Sequence, residues 1–85
     1  MNRATYEKAK FYSRARAFRT ARRSIYVDGI FVDGWIGVLR GKCVVYDSSV
    51  KIFPTEDAAR EDARAFWNMC CEMLDRHEEE TEGGN

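Results

Sequence analysis

The chain has 85 residues, 45% of them apolar and 33% charged, and its 14 Lys or Arg balance 14 Asp or Glu. That length suits one domain with one modest core and leaves no room for separate cofactor and substrate domains. No apolar run approaches the ~18 residues of a membrane span, and residues 1–24 lack the apolar stretch of a secretory signal. An Arg-rich, acid-poor start shares its composition with a mitochondrial presequence, but Tyr6-Glu7 and the β-rich run that follows read as integral.

The neutrality is a cancellation. Residues 1–24 carry a net charge of +7, residues 25–54 zero and residues 55–85 −7. Any functional reading has to account for this gradient along the chain.

Residues 4–23 contain no Gly or Pro and several Ala, Arg and Lys, which predicts a helix. Ala4, Phe11, Ala15 and Phe18 fall on a thin apolar stripe at helical spacing. Lys8, Tyr12, Arg16, Arg19 and Arg23 line a second face at steps of about four. Within that span, "FYSRARAFRTARR" sets five arginines and three aromatic residues together without an acid. Such a face can neutralise phosphates with an aromatic ring laid against a sugar or base. It can equally meet an acidic protein surface, and cations in a last helical turn also suit the dipole of any helix.

Residues 24–53 are rich in Val, Ile, Tyr and Phe and are punctuated by Asp28-Gly29, Asp33-Gly34 and Arg40-Gly41. These predict an antiparallel meander with strands near 24–32, 35–40 and 42–53. Arg40-Gly41 is the clearest turn; either Asp-Gly can form the other. Asp47-Ser48-Ser49 is placed to interrupt the last strand. Trp35, just after a turn, is either a lid on the core or an anchor for a partner.

Pro54 then ends the strand, Thr55 is a ready N-cap, and Glu56 and Asp57 suit a helix N-terminus. Ala59, Ala63, Phe66, Cys70, Met73 and His77 recur at threes and fours, flanked by Trp67, Met69 and Leu74. This broad face predicts the main helix on the sheet. The domain is expected over 1–77, followed by an acidic, flexible tail at 78–85. The element order is α-β-β-β-α: an α+β, two-layer sandwich of a three-stranded antiparallel sheet and two helices.

The chemistry-bearing residues do not form an enzyme's pattern. Cys43, Cys70 and Cys71 are odd in number and lack Cys-x-x-Cys spacing, so no disulfide framework or zinc site is expected. Cys70 and His77 are separated along a helix by roughly 10 Å, too far to share an ion. His77 is the single histidine, and Ser48 and Ser49 sit in no Gly-x-Ser-x-Gly elbow. No Gly-rich phosphate loop is present, so no catalytic residue, metal or cofactor is expected.

The α-β-β-β-α order resembles the double-stranded-RNA-binding domain in topology. That family grips phosphates with lysines at the start of its last helix, where this chain reads Thr55-Glu56-Asp57-Ala58-Ala59-Arg60 and is acidic. The stretches "GWIGVLRGKCVVYDSS" and "FPTEDAAREDARAFW" are similar in texture to short phage or mobile-element accessory proteins, among them anti-CRISPR inhibitors. The resemblance implies a phage-encoded, non-enzymatic inhibitor acting in the host bacterial cytoplasm. Such a protein masks a nucleic-acid-handling defence complex by charge complementarity. The expected contacts are Lys8, Tyr12, Arg16, Arg19 and Arg23, with Trp35 as an anchor. The partner is a bacterial protein or ribonucleoprotein, and the alternative is direct nucleic-acid binding through the same basic helix. The oligomeric state stays open, including a homodimer that completes the thin apolar stripe.

Overall fold

The computed structural model describes residues 2–46 and 49–83, and the side chains of 2–44 and 51–78. Seven elements follow one another: α1 (Arg3–Ser13), β1 (Arg19–Val27), β2 (Ile30–Leu39), β3 (Lys42–Cys43), β4 (Val45–Tyr46), β5 (Ser49–Val50) and α2 (Glu56–Gly83). β1, β2 and β3 form a three-stranded antiparallel sheet in that order. α2 packs on this sheet and α1 packs chiefly against α2, and the chain is an α+β protein. β4 and β5 pair separately as a small hairpin.

The first helix is shorter than its composition suggests. Asn2 caps its start by accepting from the Thr5 amide at 2.8 Å. Its end is fixed by tertiary contacts. The Arg40 guanidinium donates to the Phe11 carbonyl at 3.1 Å, and the Trp67 indole donates to the Ser13 carbonyl at 2.9 Å. Those carbonyls would otherwise accept amides from a continuing helix. The chain instead turns, and Phe18 packs against Trp67 with ring centroids 5.7 Å apart.

Residues 19–23, expected as helix, therefore begin β1. Nine unbroken pairs run from Arg19↔Val38 to Val27↔Ile30. Ladder bonding to β2 outweighs the helix propensity of Ala21, Arg22 and Arg23, a weak preference per residue. Asp28-Gly29 is the first hairpin turn, with φ values of 51° and 82°, and Arg40-Gly41 is the second, with 55° and 77°. Both positions in each turn are left-handed, as a type I′ hairpin turn requires. Asp33-Gly34 lies inside β2.

The expected third strand, 42–53, is broken. After β3 the chain leaves the sheet, passes through β4 and β5, and returns at Phe53, which exchanges two 2.8 Å backbone hydrogen bonds with Trp35. The segment at Asp47 and Ser48 lies outside the described residues.

α2 starts as its sequence suggests: Thr55 Oγ1 accepts from the Ala58 amide at 3.1 Å, and Arg60 pairs with Glu56 and Asp57. It runs 28 residues to Gly83, about 42 Å at 1.5 Å per residue. The segment expected as a tail from residue 78 thus continues α2 as far as Gly83. The core lies between α2, α1 and the base of the hairpin, where Ala9, Tyr12, Leu39, Val44, Ala63, Phe66 and Cys70 are buried together. Gly37 lets α2 approach closely, since a Cβ there would stand 3.0 Å from both the Ala63 Cβ and the Ala59 carbonyl oxygen.

Candidate functional site: an apolar hairpin arm on an arginine base

The β1–β2 hairpin outruns the core beneath it. Strands of nine and ten residues reach about 30 Å at 3.4 Å per residue, but α2 meets the sheet near Thr20 and Gly37. Beyond Gly34 the arm projects, and all of residues 26–33 are exposed. The radius of gyration is 15.0 Å, against about 12 Å for a compact chain of this length.

Large apolar side chains occupy both faces of the projecting part. Strand register places Tyr26 opposite Phe31 on one face, and Ile25 opposite Val32 and Val27 opposite Ile30 on the other. Tyr26 and Phe31 are 66% and 71% exposed and meet edge to face with centroids 5.1 Å apart. Ile30 is 66% exposed. A soluble strand pair normally alternates apolar and polar sides, one toward a core and one toward water. Here neither side has a core to face.

The base of the arm is cationic. Arg14, Arg16, Arg19, Arg22 and Arg23 are all exposed, the first two on the connection from α1 and the others on β1. Arg22 lies over the Trp35 ring at 5.5 Å, and Arg23 donates to Cys43 Sγ at 3.4 Å. Ser24 and Asp33 are hydrogen-bonded across the strands. With Arg22 and Arg23 they line a shallow depression of about 180 Å³, smaller than the ~300 Å³ at which small-molecule pockets begin. From Ser24 to Leu39 the sequence has no Lys or Arg but carries Asp28 and Asp33, so charge changes sign along the arm.

The residues expected as one helical contact face are dispersed. Lys8 alone sits exposed on α1, its ammonium 5.7 Å from the Phe66 ring centre. Tyr12 is corrected from a surface contact to a core residue. It is 6% exposed, donates to the Cys43 carbonyl at 3.0 Å and packs edge-on against Phe66 at 4.9 Å. Burial, then the nearby Cys43 and Cys70, push its pKa up. Arg16, Arg19 and Arg23 are corrected from a helix face to the connection and β1, because α1 ends at Ser13. Trp35 is half-buried beneath Arg22, with its backbone tied to Phe53.

The tip residues Tyr26, Val27, Ile30, Phe31 and Val32 were not singled out from sequence. A signal was present: apolar residues run consecutively on both sides of Asp28-Gly29 instead of alternating, in a chain whose two helices can cover only one face of a sheet.

The three cysteines are free thiols. Cys70 is buried, and its pKa is pushed up to about 11, first by burial, which makes it a poor nucleophile. Among the described residues no three His, Cys, Asp or Glu side chains group to hold a metal ion, and no helix is long and apolar enough to cross a membrane. Comparison with protein-family models, with curated proteins and with solved structures finds no match to this chain.

Proposed function

We propose that this is a non-enzymatic binding protein that docks a protein partner through the tip of its hairpin arm. The observation that carries the reading is the Tyr26–Phe31 pair, two aromatic rings left in solvent at the end of a projecting element. Aromatic side chains with clustered apolar neighbours are the usual anchors of protein interfaces. Asp28, Asp33 and the lack of any cation from residue 24 to 39 disfavour phosphate as the ligand of the tip.

The arginines at the base would then steer and orient an acidic partner surface, consistent with masking by charge complementarity. A bacterial defence complex that handles nucleic acid is the partner class implied by the texture of residues 34–67, and a phage-encoded inhibitor is the corresponding role.

The test is a photo-cross-linking residue placed at Phe31, with a control at the exposed Glu72 of α2, used in the cells that the protein comes from. Protein adducts at 31 that vanish with Tyr26→Ser support the reading. Adducts no stronger at 31 than at 72 overturn it.

A second reading has its own observation. Five exposed arginines on one connection and strand could bind nucleic acid directly, independent of the tip. Fluorescence anisotropy of labelled duplex and single strands, titrated with salt, separates the two. Binding that falls steeply with salt and ignores Tyr26→Ser favours nucleic acid.

A further inference from the structure

We infer that the outer edge of β1 pairs with β1 of a second copy of this chain, antiparallel about a two-fold axis at Ser24. The inference rests on the arm as an interaction element and concerns the free edge of its first strand, a surface separate from the tip.

β1 is an edge strand: the sheet order is β1-β2-β3, and β1 pairs only with β2 among the described residues. Its nine-residue ladder has no bulge and no proline. A long, regular edge beside exposed apolar side chains is a template for another strand. The backbone groups available there can be identified. Trp35 gives its amide and carbonyl to Phe53, and Gly37 accepts from Val44, both away from β1. Arg22 and Thr20, opposite them, therefore point their own N–H and C=O outward. By alternation Ser24 and Tyr26 do the same, so four residues offer a complete edge ladder.

The cationic-to-apolar run of β1 suits an antiparallel second copy, and the Arg22–Trp35 contact fixes the register. β1 is cationic at its base, at Arg19, Arg22 and Arg23, and apolar toward its tip, at Ile25, Tyr26 and Val27, ending in Asp28. An antiparallel copy sets each tip against the other's base. An axis at Arg23 would oppose that arginine to itself, which is unfavourable. An axis at Ser24 places Arg22 opposite Tyr26 of the second copy, Arg23 opposite its Ile25 and Thr20 opposite its Asp28. Arg22 already covers Trp35, so its guanidinium would lie between two aromatic rings on one face of a continuous sheet.

Sedimentation velocity of the full chain across the micromolar range tests this. The expected result is a concentration-dependent dimer. Ser24→Pro removes an outward N–H that the β1–β2 ladder does not use, so the hairpin persists by circular dichroism. Two backbone hydrogen bonds at the axis are lost, which should weaken the dimer by about tenfold or more. In a chain carrying Cys43→Ser and Cys71→Ser, Ser24→Cys should form a covalent dimer on mild oxidation faster than Thr20→Cys. A chain that is monomeric throughout overturns the inference, as does a dimer indifferent to Ser24→Pro or cross-linked faster at position 20. A monomer still permits adducts from Phe31 to a different protein, so the docking reading is decided separately.

Discussion

The Trp67 indole on α2 donates to the Ser13 carbonyl, 54 positions away in sequence, and so ends α1 and turns the chain toward β1. The contact couples helix length to packing: the donor that caps α1 belongs to the helix on which α1 rests. Trp67→Phe keeps a ring against Phe18 but leaves the half-buried carbonyl without that donor. The expected loss is about 1–3 kcal/mol, seen as a lower urea midpoint at unchanged slope.

Signals that depend on near neighbours were readable from sequence. Thr55 caps α2, Arg40-Gly41 makes a turn, and Ala59, Ala63, Phe66 and Cys70 form the buried face of α2. The extent of α1 was not readable, because its stop comes from Arg40 and Trp67, remote in sequence. That single boundary also misplaced the arginines, since a face drawn at steps of four dissolves once the chain becomes a strand. Tyr12 looked exposed for the same reason: the helix buries Ala9 and Tyr12, whereas the stripe through Phe11, Ala15 and Phe18 assumed a longer one. The arm was hidden differently. Val, Ile, Tyr and Phe predict a strand, but they do not say whether a second layer will cover it.

Gly34 and Gly41 should fail differently when changed to alanine. A Cβ on Gly34 would run into Ile52 Cγ2 and stand 2.7 Å from the Phe53 carbonyl oxygen, where the returning chain crosses β2. The expected cost is about 1–3 kcal/mol, with faster amide exchange at Trp35 and Phe53 as their bridge loosens. Gly41 has open space around it but a φ of 77°, so Gly41→Ala should cost about 1–2 kcal/mol of backbone strain without disturbing that bridge. Hydrogen exchange read residue by residue distinguishes the two.

Tyr12→Phe tests whether the tyrosine is structural. Its hydroxyl ties α1 to β3 through the Cys43 carbonyl, in a partly buried setting. Removing it should lower stability by about 1 kcal/mol while leaving partner or nucleic-acid affinity unchanged. A loss of affinity at full stability would return Tyr12 to the contact surface.

Tyr26→Ser with Phe31→Ser should behave in the opposite sense. Both rings are mostly exposed, so the double substitution should cost about 1–2 kcal/mol, the worth of an aromatic pair and the little area it buries. Phe66→Ala, 2% exposed, should cost about 3–5 kcal/mol. Thermal melts of the two variants give the comparison directly. A collapse of the tip variant comparable to Phe66→Ala would make the pair part of the fold and remove the main support for a docking arm.

Alkaline pH should destabilise the protein through its buried thiol. Cys70 is pushed from 9.0 up to about 11 by burial, then by Cys71, while Lys8 pulls it down. Tyr12 is raised as well, chiefly by burial. Both groups are neutral when protonated, so the folded chain holds a proton that the unfolded chain releases sooner. The native state binds more protons between the two pKa values, and stability must fall as pH rises there. The Cys70 contribution is intact below pH 9.0 and is lost as pH climbs toward about 11. Urea midpoints across that range should decline, and Cys70→Ala, though less stable throughout, should show a shallower decline. An unchanged slope in that variant would mean that Tyr12 or Cys71, whose pKa is also raised by burial, carries the alkaline transition instead.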